Sequence, residues 1–185
     1  MTDINITDAI HIWTTDTGYR TINSYLLGNK YKRIYPFFIS NNKTVNYDNV
    51  DYKTKKIIST IEQHMTPRKK FITYYRGDTK SIVSQGNFTT RTFLSVCTDE
   101  EQAESFIDDD CCLLKIKVHK DVKRYNTGVE YEVLLERNVR WTYLGPHGKY
   151  HLAEITPSIK KIKTSSSTPA SASKKTSASA SKKTK

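Results

Sequence analysis

Four polar side chains stand in apolar, strand-like stretches of this sequence, and their types suit one another. In GVEYEVLLERN, residues 128–138, Glu130 and Glu132 are separated only by Tyr131. Side chains alternate between the two faces of a strand, so these carboxylates would project together, about 7 Å apart along the backbone. Such a pair is either two solvated glutamates on an edge strand or, if the following VLLE buries the strand, a site that requires donors or cations nearby. In YYRGD, 74–78, Arg76 ends an apolar strand, and its planar donor fork can grip a diphosphate. Gly77 after it lets the backbone approach a ligand; the plain alternative is a surface Arg-Gly entering a turn. In FLSVCTDEEQAESF, 93–106, Ser95 follows two large apolar residues, and its hydroxyl needs either a carboxylate or a backbone group as partner. Brought together, these residues would surround an anionic ligand with a guanidinium, a hydroxyl and two acids.

Positioning them is the task of the rest of the chain, which divides near residue 70. Before it the pattern is helical. Ile22, Tyr25 and Leu26 share a face with Gly28 as C-cap, and Asp48 is expected to cap a helix whose Ile57, Ile58, Ile61 and Met65 form an apolar stripe ending before Pro67. After it come short β-rich runs at 70–77, 90–96, 112–118, 130–136, 141–145 and 150–156. One helix is expected among them, opened by Thr98 and Glu101 as a capping box and ending near Phe106. Helices first and strands afterwards predict an α+β fold with N-terminal helices and a mostly antiparallel two-sheet β core.

The chain has 185 residues, enough for one domain and an extension. Residues 164–185 contain only Thr, Ser, Pro, Ala and Lys, with SASKKT at 171–176 recurring at 179–184. A segment with so little to bury does not offset its ordering entropy, so a domain over 1–163 and a disordered tail over 164–185 are expected. The formal net charge is +11; the tail's five lysines supply five of these charges and leave six on the body. Positive charge suits nucleic acid, an acidic protein or an anionic ligand, and equally a solvated basic surface. Cys97, Cys111 and Cys112 fit neither a disulfide framework nor a zinc spacing. With no signal-peptide core and no run of eighteen apolar residues, an intracellular, aqueous location without membrane contact is expected.

Arg-Gly after a strand, F-L-S before a helix and Glu-x-Glu opening a later strand, in that order, resemble the arginine–serine–glutamate class of ADP-ribosyltransferases. This is the clostridial- and cholera-toxin-like lineage, and the compact layout is similar to single-domain phage- or virus-type members. GYRTINSYLLGN, 18–29, is similar to the family's Y-x-x-I-N-x-x-L-R stretch, with Leu27 where arginine is usual. The resemblance spans roughly residues 10 to 160.

The resemblance implies an NAD-dependent transfer of ADP-ribose to arginine side chains of target proteins, with NAD as co-substrate and no metal. It implies that Arg76 binds the NAD phosphates, that the Gly77 backbone meets the nicotinamide amide, and that Ser95 orients the catalytic Glu132. Phe106 would stack on nicotinamide, Glu130 would select arginine as acceptor, and Tyr125 in the loop KRYNTG, 123–128, would contact the target protein. The chain departs from the family's S-T-S at Ser95, Val96 and Cys97, and places Asp108, Asp109 and Asp110 near where some relatives carry a phosphate-binding arginine, which predicts modest NAD affinity. Three alternatives stand beside this reading. One is a basic nucleic-acid-binding protein that uses the lysine-rich tail; the others keep the fold and act as an NAD glycohydrolase or modify nucleic acid.

Overall fold

The computed structural model describes residues 4–29, 34–39, 46–129 and 131–158. The expected tail and Glu130 lie outside the described residues. Two helices open the chain, α1 (Ile6–Trp13) and α2 (Asp16–Leu27), and each starts at a side-chain cap. Asn5 accepts from the Asp8 amide, and Thr15 accepts from the Gly18 amide. The turn between them is tight enough that a Cβ at Gly18 would fall 1.9 Å from the Ile12 carbonyl oxygen. Gly28 ends α2 in the left-handed region, as expected. After a 3₁₀ turn (Pro36–Phe38) comes α3 (Tyr47–His64). Its cap is Asn46, which accepts from Asn49; Asp48, the expected cap, lies within the first turn.

Eight strands follow: β1 (Ile72–Thr79), β2 (Phe88–Thr89), β3 (Leu94–Cys97), β4 (Cys111–Val118), β5 (Arg124–Asn126), β6 (Glu132–Leu135), β7 (Val139–His147) and β8 (Tyr150–Pro157). Two short helices interrupt them where one was expected, α4 (Lys80–Ser84) and α5 (Glu100–Glu104). Ile82 and Val83 of α4 cover the sheet core. Asp99 caps α5 by accepting from Gln102, so Thr98 is not the capping residue.

The strand order is β2-β7-β8-β4-β1-β3-β6-β5, and all pairings are antiparallel except β4 with β8. The two sheets of the expectation are two wings of this order, joined where β1 and β3 share the single register pair Tyr75↔Cys97. Apolar side chains of both wings, among them Tyr74, Leu94, Val96, Ile116, Val133 and Trp141, gather in one buried cluster. A second cluster packs α1, α2 and α3 against Phe93 and Leu134. Alternation along β3 and β6 explains this division. Leu94, Val96, Val133 and Leu135 face the first cluster, which turns Ser95, Glu132 and Leu134 to the other face, where the helices lie.

Candidate active site

A cleft of about 600 Å³ opens at the seam between the wings. Its sheet wall carries Arg76 and Gly77 from β1, Ser95, Val96 and Cys97 from β3, and Glu132 from β6; Phe106 and Val129 stand beside them. Its helical wall consists of Trp13, Thr14, Thr15, Asp16 and Tyr19.

Ser95 and Glu132 meet because of register. Ser95 pairs with Leu134 and Cys97 pairs with Glu132, so Ser95 and Glu132 are diagonal neighbours on one face, a separation that long side chains bridge. The Ser95 hydroxyl donates a short hydrogen bond to Glu132 Oε1. Arg76 and Asp78, two residues apart on β1, project together and form an ion pair at 2.6 Å, with side chains 24% and 17% exposed. Arg76 Nη1 also donates to the Ser95 backbone oxygen at 2.5 Å. An unbroken chain of contacts therefore runs from Asp78 through Arg76 and Ser95 to Glu132. Of the donor fork expected to grip a diphosphate, Nε bonds Asp78 and Nη1 bonds Ser95, and Asp78 is a residue the sequence did not single out.

Gly77 lines the cleft, and a second demand fixes its identity. A Cβ there would lie 2.8 Å from the Ala103 carbonyl oxygen and 3.2 Å from Phe106 backbone, so β1 and α5 can approach this closely only with glycine. Phe106 lies just past α5, is 55% exposed and sits on the cleft wall. Helix α5 is pinned from outside: the Glu100 carboxylate accepts from Lys149 and Tyr150, and these bonds, the Lys149 ammonium first, hold it below the usual carboxylate range.

Two expectations fail geometrically. The strand expected to begin at residue 130 begins at Glu132, because Tyr131 adopts φ 59 in a turn closed by the Glu132 amide on the Val129 oxygen at 2.7 Å. The expected pairing of Glu130 with Glu132 on one strand face lies outside the described residues, because Glu130 does. Tyr125, expected on a loop facing a target, instead lies in β5, paired with Leu134 and packed against the helical cluster. Turn residues around it (Asn126, Gly128) masked a three-residue strand.

The helical wall is what the sequence reading missed. Its signal was present: TTDTG, 14–18, combines an N-cap threonine with a glycine three residues on, the glycine that opens GYRTINSYLLGN. Trp13 is 2% exposed and meets Tyr19 and Phe93 edge to face, at centroid distances of 5.2 and 5.5 Å, which joins this wall to the loop entering β3.

The chain matches no protein-family model and no curated protein. Solved structures do share its fold. Vis toxin, an ADP-ribosyltransferase from Vibrio splendidus, is 17% identical over 83% of this chain and 73% of its own, with a TM-score of 0.57, and has also been solved with agmatine. C3larvin toxin, an ADP-ribosyltransferase from Paenibacillus larvae, is 17% identical over 84% of this chain and 97% of its own, with a TM-score of 0.55. Exoenzyme S from Pseudomonas aeruginosa, solved with human 14-3-3 protein beta and Carba-NAD, is 9% identical over 88% and 83%, with a TM-score of 0.54. The chain thus has the α+β fold of the ADP-ribosyltransferases. Among its described residues no helix is long and apolar enough to cross a membrane.

Proposed function

We propose that this protein is an NAD-dependent mono-ADP-ribosyltransferase that modifies arginine side chains of target proteins. One observation carries the reading: in this fold, Ser95 holds Glu132 at the cleft that Arg76 lines, and Arg76 is itself bonded to Ser95. The cleft volume, about 600 Å³, falls within the range of roughly 300–1,000 Å³ usual for ligand sites. Exoenzyme S was solved with an NAD analogue, and Vis with agmatine, a guanidinium-bearing amine.

Glu132 binds the 2′-hydroxyl of the nicotinamide ribose and stabilises positive charge as the ribose–nicotinamide bond breaks, nicotinamide leaving with the bonding pair as a neutral base. Ser95 fixes the direction of that carboxylate. Arg76 contributes its remaining amino group and its charge toward the diphosphate, Gly77 offers backbone to the nicotinamide amide, and Phe106 offers its exposed ring to nicotinamide. An arginine acceptor is protonated at neutral pH, so attack of its nitrogen on the ribose carbon needs a base; Glu130 takes that proton. Cleft charge is mixed, with Asp16 and Glu132 as well as Arg76 in its lining, which supports modest affinity for a dianionic dinucleotide.

The test uses labelled NAD and a mixed lysate, with wild type, Glu132→Gln and Glu130→Gln side by side. Wild type is expected to label protein in a hydroxylamine-sensitive bond, Glu132→Gln to do nothing, and Glu130→Gln to release nicotinamide without labelling. Equal labelling by wild type and Glu132→Gln would sink the enzyme assignment. Nicotinamide release by wild type without label would reduce it to a glycohydrolase, and label on nucleic acid would move the acceptor there.

A further inference from the structure

The backbone around Tyr131 and Glu132 is held by hydrogen bonds from two threonines. Tyr131 sits at φ 59, a left-handed conformation that an L-residue adopts only against a steric penalty of about 1 kcal/mol. The two threonines bond successive carbonyls, those of Tyr131 and Glu132. Thr98 donates both its amide, at 3.0 Å, and its hydroxyl, at 3.2 Å, to the Tyr131 carbonyl. Thr127 donates its amide, at 3.2 Å, and its hydroxyl, at 3.1 Å, to the Glu132 carbonyl, while its hydroxyl oxygen accepts from the Val129 amide at 3.2 Å. Thr98 follows Cys97 directly, so one brace ties the turn to the strand that carries Ser95.

We propose that Thr98 and Thr127 are positioning residues that preset Val129 and Tyr131 on the acceptor side of the cleft. The inference rests on the transferase reading above. Glu132 has other supports besides these bonds: Ser95 holds its carboxylate, and the β3–β6 ladder holds its backbone. What they fix is the rim, where Val129 lines the cleft at 43% exposure and Tyr131 is 64% exposed. An incoming guanidinium must reach the ribose carbon in attack geometry, and small misplacement of the surface it docks on lowers the rate steeply. Exposed threonine hydroxyls often make idle bonds, and the test separates that case by chemistry.

Thr98→Val and Thr127→Val keep side-chain shape and remove the hydroxyl; Thr98→Ser restores it. Each valine variant is expected to lower protein labelling about three- to tenfold, the worth of one hydrogen bond, while NAD cleavage in the absence of acceptor stays within about twofold of wild type. Hydrogen exchange at the Val129 and Glu132 amides is expected to quicken in both valine variants, and Thr98→Ser to recover both readouts. Unchanged exchange overturns the proposal, as does labelling that falls only in step with NAD cleavage, or serine behaving as valine. If wild type cleaves no NAD, the transferase reading has failed instead, and exchange alone still decides whether the threonines hold the turn.

Discussion

The two walls of the cleft are built on different physics. On the sheet wall the reactive side chains are aimed by directional bonds: Ser95 to Glu132, Arg76 to the Ser95 carbonyl, and Asp78 to Arg76. On the helical wall Trp13 is packed between Tyr19 and Phe93, and α2 is set by Thr15 and the close turn at Gly18. A carboxylate that must face one ribose hydroxyl needs a fixed angle, which hydrogen bonds supply. A surface that only has to be present and dry needs volume, which apolar packing supplies. The walls should therefore fail differently, the first in chemistry and the second in stability.

Glu132→Gln breaks this comparison most sharply if it is wrong. Loss of the charge that meets the developing cation should lower NAD cleavage about a thousandfold, on the order of 4 kcal/mol, and leave the thermal midpoint near wild type. A large drop in melting temperature would mean that the sheet wall is structural after all. Trp13→Ala is the converse. Its side chain is 2% exposed, and the cavity should cost roughly 3 kcal/mol in urea unfolding, with activity per folded molecule falling far less than in Glu132→Gln.

Gly77→Ala sharpens the comparison where the two demands meet. A Cβ placed 2.8 Å from the Ala103 oxygen strikes backbone, so α5 must move, and about 2 kcal/mol of overpacking is expected. Because Phe106 follows α5, NAD cleavage should fall as well, which pure loss of stability below the melting temperature does not produce. Asp78→Asn is milder. It keeps an acceptor for Arg76 Nε and removes the charge, so KM for NAD should shift by a few-fold with kcat almost unchanged, read from initial rates across NAD concentrations.

What the sequence disclosed follows the same division. Arg76, Gly77, Ser95 and Glu132 were legible because strand alternation and short motifs set a polar residue or a glycine where apolar ones belong, Phe106 only through the family resemblance, and the structure gathers all five at one cleft. Helices α2 and α3 were legible from Gly28 and from the stripe of Ile57, Ile58 and Ile61. The helical wall was not, because Trp13 reads as core in any amphipathic helix and only tertiary packing brings Thr15 and Asp16 to the cleft. The turn before Glu132 was not legible because Tyr131 has no glycine-like signature, and its left-handed backbone is bonded to Thr98, which is thirty-three residues distant in sequence. β5 was hidden by Asn126 and Gly128, whose turn chemistry is real but begins one strand later than their spacing suggests.

The smallest effect concerns the outer anchor of α5. Helix α5 has five residues, too short to be stable by itself, so its position behind Gly77 depends on contacts such as Glu100 with Lys149 and Tyr150. Lys149 bonding, then the Tyr150 hydroxyl, lowers the Glu100 carboxyl below its ordinary value of 4.5. A group lowered on folding stabilises the fold above its unfolded value, and this contribution disappears as pH falls through the lower, folded one. The gap in melting temperature between wild type and Glu100→Gln should thus be open at neutral pH and close as the solution is acidified below about pH 4. Being at the surface, the pair is screened, so added salt should narrow the gap at neutral pH too. A gap that stays constant from neutral to acid would mean that the carboxylate's charge does not hold α5, and that the helix is kept on the sheet by Ala103 and Ile107 packing against Tyr75 and Leu113 alone.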